Sequence, residues 1–477
     1  MVLRRAICRF GKSYDSSKIT CFLRHHDRIK LSVRFFRSSA RLTPQEVSKI
    51  LRNNEYTKEF DSSSSIKFYE SNQLASNNPI EDTRSEAKCL LTNGFLMGIF
   101  DGHGGSACAQ VVAKRLFHYI SACLLPPKIL TKYIDSHGID ENFRLLERYN
   151  DKLEFVSGIK SLYNNSFVAF LHDIVNGKIS SDKVEDSLIS AFLRLDNDLS
   201  DEALHKLRSK DAARTLSVAM SGAVAVVAHI DGPHLHVAGV GDCQAILGSH
   251  TENEGWSYKS LTVEHNADNR VEVERILSEH PPMERATVIK MERLLGQLAP
   301  LRSLGDFRYK WSKELMNEVV IPYLGEAAVP PNYYTPPYLT ARPDVTYHKL
   351  EANDKFLILA SDGLWDLLTP SEAVHLVAEH ISGKMSMNPF KLPQSTMKLS
   401  EINEMLLQRK EGLQTKPLDG NAATHLLRHA LGGTDHGIEH NKLSQFLTLP
   451  SDVVRVFRDD ITITIIYMNS DFFVNST

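Results

Sequence analysis

The sequence predicts a mixed α and β fold, built in layers with antiparallel sheets. Three observations carry that expectation. Apolar runs of strand character come in groups, within 67–105, 218–262, 341–361 and 459–468. Between the groups stand paired stretches of helical periodicity rather than single crossover helices, which argues against a βαβ repeat. Several runs also end in a carboxylate. The run 95–100 leads into Asp101-Gly102-His103, the run 356–361 into Asp362-Gly363 and the run 237–241 into Asp242, while Asp459-Asp460 stands directly before Ile461. An apolar run buries itself in a sheet and delivers its polar end to the rim. One Asp-Gly by itself reads as a turn. Its repetition at strand ends suggests a carboxylate cluster built for hard cations.

Taken in order, residues 1–40 read as a targeting segment rich in Arg and Ser. Leu3, Ile7 and Phe10 share one helical face and Arg5, Arg9 and Lys12 the other, the form of a mitochondrial presequence, with removal expected near 34–39. Residues 41–66 are expected to hold a helix, opened by Thr43, Pro44 and Glu46 as a capping box, and then a flexible connector through Ser62-Ser63-Ser64-Ser65. The main domain is expected over 67–470, with a tail at 471–477. A helix follows Gly105, carried by Ala107, Ala109, Val111, Val112, Leu116 and Ile120. Residues 124–185 read as inserted loops and helices, and 371–445 as a second, largely helical insertion with a polar stretch at 383–400. Asp231-Gly232-Pro233 marks a turn between strands.

Composition narrows the function. With 477 residues, 42% of them hydrophobic, the chain has ample material for a large core, and its net charge of −3 leaves no nucleic-acid footprint. That charge is uneven: residues 1–41 hold eleven Lys and Arg against two Asp, a net of +9, so the remainder carries −12 and favours basic partners. The six cysteines, Cys8, Cys21, Cys89, Cys108, Cys123 and Cys243, have no metal-ligand spacing and no disulfide-framework look, which points to a reducing compartment. No apolar run approaches the roughly 18 residues of a membrane span. The chain has no GxSxG elbow, no Cys-x5-Arg cradle, no Walker A sequence and no GxGxxG after a strand. Carboxylates remain, and with water they are the ligands of Mg²⁺ and Mn²⁺. Two such ions about 3.5–4 Å apart can share a water and lower its pKa for attack on a phosphate.

The ordered set Glu81-Asp82, Phe100-Asp101-Gly102-His103-Gly104-Gly105, Ser221-Gly222-Ala223, Gly241-Asp242, Leu304-Gly305-Asp306, Ser361-Asp362-Gly363-Leu364-Trp365-Asp366 and Asp459-Asp460-Ile461-Thr462 resembles the metal-dependent Ser/Thr protein phosphatases of the PP2C type. The resemblance spans roughly 65–468 and is specific as a set, each motif alone being weak. It implies an α+β four-layer sandwich: two antiparallel sheets face to face with helices outside. It also implies two Mg²⁺ or Mn²⁺ ions. Asp101 matches the bridging carboxylate, Glu81, Asp362 and Asp459 match direct ligands, and Gly102 would bind through its carbonyl. Asp82 matches a residue that orients water on the ions. His103 matches the acid that protonates the leaving serine oxygen, and a structural histidine bonded to a carboxylate is the alternative. Glu264 and Asp366 match a weaker third metal position, with solvated surface carboxylates as the alternative; Glu264 stands where the family has Asp. Asp242 is expected to support the fold near the metals. The family places a phosphate-gripping Arg where this chain has Asn77, which leaves phosphate binding to the metals or another cation.

Segments such as Asn77-Asn78-Pro79-Ile80-Glu81-Asp82, Arg293-Leu294-Leu295-Gly296 and Asn421-Ala422-Ala423-Thr424-His425 resemble the group of this family that acts on the mitochondrial pyruvate dehydrogenase complex. Asn77 is shared by that group. The resemblance implies a matrix enzyme that dephosphorylates the E1α subunit and switches the complex on. It implies docking on the lipoyl domain of E2 aided by Ca²⁺, and a regulatory subunit as a further partner. No EF-hand loop is present, so Ca²⁺ would sit at a partner interface. Two other readings stay open: another mitochondrial phosphoprotein as substrate, or a catalytically inactive binding module. The second would be expected to lose the ligand carboxylates, and all four are present.

Overall fold

The computed structural model describes residues 41–135, 144–152, 157–179, 183–205, 211–387, 399–400, 402–403, 406, 418–434 and 437–474. The targeting segment at 1–40 and most of the polar stretch at 383–400 lie outside them.

Helix α1, Pro44–Leu51, opens as expected: the Thr43 side chain accepts from Glu46 N and the Glu46 carboxylate accepts from Thr43 N, a complete capping box. Its Val47 and Leu51 are buried in a core with residues of 422–431. The connector expected next is not structureless. Strand β1, Tyr56–Glu59, pairs antiparallel with β2, Ile66–Leu74. Two rings hold it there: Tyr56 and Phe60 lie 5.8 and 6.1 Å from the buried Tyr69. A four-residue strand among charged neighbours leaves no periodicity to read.

The remaining strands are β3 (Thr83–Cys89), β4 (Phe95–His103), β5 (Leu146–Tyr149), β6 (Gly222–Asp231), β7 (His234–Val240), β8 (Gln244–Thr251), β9 (Gly255–Ser260), β10 (Asp344–Lys349), β11 (Asp354–Ala360) and β12 (Ile461–Met468). One sheet runs β1-β2-β12-β11-β8-β9, and the other β10-β7-β6-β4-β3-β5 with Leu304–Gly305 added on β6. Every one of these pairings is antiparallel. Strand β5 corrects the expectation that 124–185 holds only loops and helices: Leu146 and Tyr149 are buried, and Phe60 meets the Tyr149 ring edge-on at 5.6 Å. The expected tail also begins as structure, a short helix Ser470–Val474 with Phe473 buried between the sheets.

Three cores stack through the sandwich. Met97, Ile99, Val224, Leu357 and Ile466 meet between the sheets. Helices α2 (Ala107–Cys123) and α4 (Val184–His205) cover the outer face of the second sheet, where Leu96 and Phe100 point, and α3 (Ser157–Val175) packs against both helices. Helices α1, α5 (Pro370–Met387) and α6 (Ala422–Gly432) cover the outer face of the first. The result is the expected four-layer α+β sandwich. In β12, Ile461, Ile463 and Ile465 face the helices while Ile466 and Met468 turn inward. With both faces covered, the strand reads as one apolar run instead of an alternation.

His425 on α6 carries a stability consequence. It is buried, 5.2 Å from the His380 ring and 4.2 Å from that of His429, with Asp419 and Arg428 nearby. Burial first, then the neighbouring histidines, pushes its pKa down to about 3. A histidine held neutral in the fold binds its proton only on unfolding. Its contribution is therefore complete above pH about 6.5 and falls as the pH drops towards the folded value. His425→Leu is expected to flatten the loss of stability between pH 6.5 and 5 by up to about 1 kcal/mol per pH unit, read from urea melts at several pH values.

Candidate active site

Strands β2, β4, β7 and β11 end, and β3, β6, β8 and β12 begin, at one end of the sandwich. There the chain crosses between sheets twice, at 75–82 from β2 to β3 and at 241–243 from β7 to β8. The second crossing is tight: Gly241 has φ +91°, and a Cβ on it would stand 2.1 Å from Val224 Cγ1. An open cleft of about 480 Å³ lies at this end, lined by Asp101, His103, Asp242, Asp306, Asp362 and Asp459 among others.

Strand alternation accounts for the first two. Asp101 and His103 share the face of β4 that carries Met97 and Ile99, so they leave the inter-sheet core at its rim. Asp362 follows the last residue of β11 by two, and Asp459 precedes β12 by two. Gly102 must lack a side chain because a Cβ would stand 2.5 Å from the Glu81 carbonyl oxygen. Glu81 is thereby held close: its Oε1 accepts from Gly105 N at 2.7 Å, and its Oε2 from Asn77 Nδ2 at 3.0 Å and Arg455 Nη1 at 2.7 Å. Asp82 is buried and its Oδ2 accepts from Ser361 Oγ at 2.8 Å.

Asp460, the neighbour of Asp459, has a different task. Its Oδ1 accepts from Ser76 N at 2.5 Å and Asn77 N at 2.9 Å, and its Oδ2 from Asn77 Nδ2 at 2.9 Å and Glu81 N at 2.8 Å. It pins the 76–81 crossing, and with it Glu81. Asn77 spends its amide on Glu81 and Asp460, so it positions a carboxylate. Asp460→Ala orphans these donors in a buried place, and a loss of about 2–4 kcal/mol is expected in urea denaturation.

His103 Nε2 and Asp306 Oδ2 lie 2.5 Å apart, and Ser303 Oγ donates to the same oxygen at 2.7 Å. Asp306 takes φ 52°, the left-handed region, to reach that place. Burial alone would lower the His103 pKa; the charge and hydrogen bond of Asp306 outweigh it, and the net shift is upward. The carboxylates shift upward too. Burial first, then the charges of Asp82 and Asp362, lifts Asp101 well above its ordinary range; Asp362 rises likewise from burial, Asp242 and Asp459. Burial pushes Asp82 up to about 7.

The carboxylates facing one another here outnumber the arginines of the cleft, and among the described residues the buried Asp362 Oδ1 has no hydrogen-bond partner. Both facts suit a divalent cation. Among the described residues no group of three or more His, Cys, Asp or Glu is placed to hold a metal ion by itself. Mg²⁺ takes one or two carboxylates and keeps several waters, so an open donor set of this kind fits it.

The structure brings together the expected Glu81, Asp82, Asp101, Gly102, His103, Asp362 and Asp459. Glu264 and Asp366 stand on the Asp242 flank, where burial first, then the charges of Asp242 and Asp366, lift Glu264; Glu264 is also bonded by Gln244 at 3.0 Å and Asn266 at 2.9 Å. Asp242, expected to support the fold, lines the cleft itself. Asp306, Asp460 and Arg455 had no assigned part. Leu304-Gly305-Asp306 and Asp459-Asp460 were visible as motifs, but their partners lie 203 and about 380 residues away along the chain. Arg455 had no sequence signal.

Residues 124–402 match the family described as Protein phosphatase 2C. The chain is 42% identical over 452 residues to the mitochondrial [pyruvate dehydrogenase [acetyl-transferring]]-phosphatase 1 of Bos taurus, covering 90% of this chain and 83% of that one. It is 42% identical over 453 residues to phosphatase 2 of the same description from Homo sapiens, covering 90% and 84%. It is 31% identical over 437 residues to the phosphatase 1 of Saccharomyces cerevisiae, covering 84% and 68%.

Proposed function

We infer that this chain, which belongs to the protein phosphatase 2C family, removes phosphate from serine on the E1α subunit of pyruvate dehydrogenase and so activates that complex in the mitochondrial matrix. The observation that carries the reading is the carboxylate-rich cleft beside the His103–Asp306 pair, in a chain similar along most of its length to pyruvate dehydrogenase phosphatases.

Glu81, Asp101, Asp362, Asp459 and the Gly102 carbonyl would hold two Mg²⁺ or Mn²⁺ ions. Bound divalent ions supply Lewis acidity, offsetting phosphate charge and acidifying water. The protein's own groups do the rest. Asp82, fixed by Ser361, would orient water on the ions. Asp460 and Asn77 hold Glu81 in place before substrate arrives, so no reorganisation is needed at that moment. Against burial, which favours the neutral ring, the charge and hydrogen bond of Asp306 favour the protonated form of His103. With Nε2–H committed to Asp306, Nδ1–H is the proton available to the departing serine oxygen. Asp242, Glu264 and Asp366 form the flank where a third ion would bind.

Segments at 124–185 and 371–445 are where docking on the E2 lipoyl domain, with Ca²⁺ at the interface, and on a regulatory subunit would occur. No helix among the described residues is long and apolar enough to cross a membrane. The test compares initial rates on phosphorylated pyruvate dehydrogenase E1 with those on unrelated phosphoserine peptides, with and without E2 lipoyl domain and Ca²⁺. Preference for E1, raised further by E2, is expected. Equal rates on every substrate would remove the substrate assignment and leave the chemistry.

A further inference from the structure

Three arginines line the cleft that the carboxylates share: Arg293, Arg308 and Arg455. Arg293 Nη1 donates to the Gln297 carbonyl at 2.9 Å, and the Arg308 guanidinium stands 5.9 Å from the Tyr309 ring. Arg455 is placed differently. It sits on the single turn Val454–Val456, just ahead of β12, and its side chain is 44% exposed. Its Nη1 donates to Glu81 Oε2 at 2.7 Å and lies 3.4 Å from Asp459 Oδ1.

That placement has two physical consequences. A guanidinium between Glu81 and Asp459 offsets one of their two negative charges and takes up oxygens that a divalent ion would use, so Arg455 and the ion compete for the same oxygens. The cleft must also admit a phosphate dianion, and Asn77 has neither charge nor a free amide to offer it. Arg455 is long, half in solvent and tethered through one nitrogen, so its torsions can re-aim the fork without moving the turn. The planar guanidinium matches phosphate oxygens in pairs, which an ammonium does not.

Resting on the function proposed above, we propose that Arg455 is a cation with two stations. It bonds Glu81 and Asp459 while the carboxylates lack ions, and it turns to the substrate phosphate once ions hold them. It would thereby serve this chain as the phosphate-binding arginine, supplied from the turn ahead of β12.

The test uses the full chain and two variants, Arg455→Met and Arg455→Lys. Mn²⁺ binding is read from the electron paramagnetic resonance signal of the free ion, and inorganic phosphate binding to the Mn²⁺-loaded protein by calorimetry. In Arg455→Met, Mn²⁺ is expected to bind about fivefold more tightly, the scale of a part-exposed ion pair removed as competitor. Phosphate is expected to bind roughly tenfold more weakly, the scale of a lost charge-assisted hydrogen bond. Arg455→Lys should fall between wild type and Arg455→Met for phosphate. Unchanged or weaker Mn²⁺ binding in Arg455→Met, or unchanged phosphate binding, overturns the proposal. Both readouts are independent of turnover, so a wild-type protein inactive on E1 would count against the function and not against Arg455.

Discussion

Asp101→Asn is expected to lower phosphate release by at least about a thousandfold while making the ion-free protein more stable. The two effects share one cause. Asp101 faces Asp82, Asp362, Asp242 and Asp459, and burial adds to their repulsion, so its ionised form is unfavourable in the fold without a cation. An amide of the same shape removes that repulsion and with it the charge that would hold two ions. Thermal melts in chelator should rise by a few degrees as activity disappears, a stability gain bought at the expense of function. A variant that loses activity and stability together would mean that Asp101 is a structural carboxylate.

The second large effect concerns the leaving group. His103→Ala is expected to reduce kcat on phosphoserine substrates by about 10²–10⁴-fold, the range of a lost general acid. On p-nitrophenyl phosphate, whose leaving oxygen needs no proton, the reduction should be far smaller. Asp306 acts through His103, so Asp306→Asn should show the same dependence on leaving group with less loss. Gly222→Ala should reproduce it too. A Cβ there would stand 2.0 Å from Asp306 Oδ2 and 2.1 Å from His103 Nε2, so the pair must part although the glycine touches no substrate. Equal losses on both substrates in all three variants would assign His103 a purely structural place.

Much of the fold was legible because of how its strands are buried. Residues of β4, β11 and β12 are covered on both faces, so they read as unbroken apolar runs, and their polar ends stood out. The capping box of α1 is local chemistry, readable from Thr43, Pro44 and Glu46 alone. Strands β1 and β5 were not legible, since each is four residues long and is fixed by rings from elsewhere, Tyr69 and Phe60. In the site, carboxylates at strand ends could be picked out one by one. Their division of labour could not. Nothing in Asp459-Asp460 says that the second pins the 76–81 crossing while the first lines the cleft; strand alternation at the start of β12 decides it. That Asp242 lines the cleft was not legible for a related reason. The crossing between sheets that carries it over the cleft appears only once β7 and β8 are known to belong to different sheets.

The most direct test of the whole account is phosphate release from phosphorylated pyruvate dehydrogenase E1 by the chain lacking residues 1–40, first after dialysis against EDTA and then after Mg²⁺ or Mn²⁺ is restored. The account predicts no release in EDTA, recovery on adding either ion, and no recovery in Asp101→Asn. Full release in EDTA would contradict it, because the carboxylate cleft would then be dispensable to the reaction.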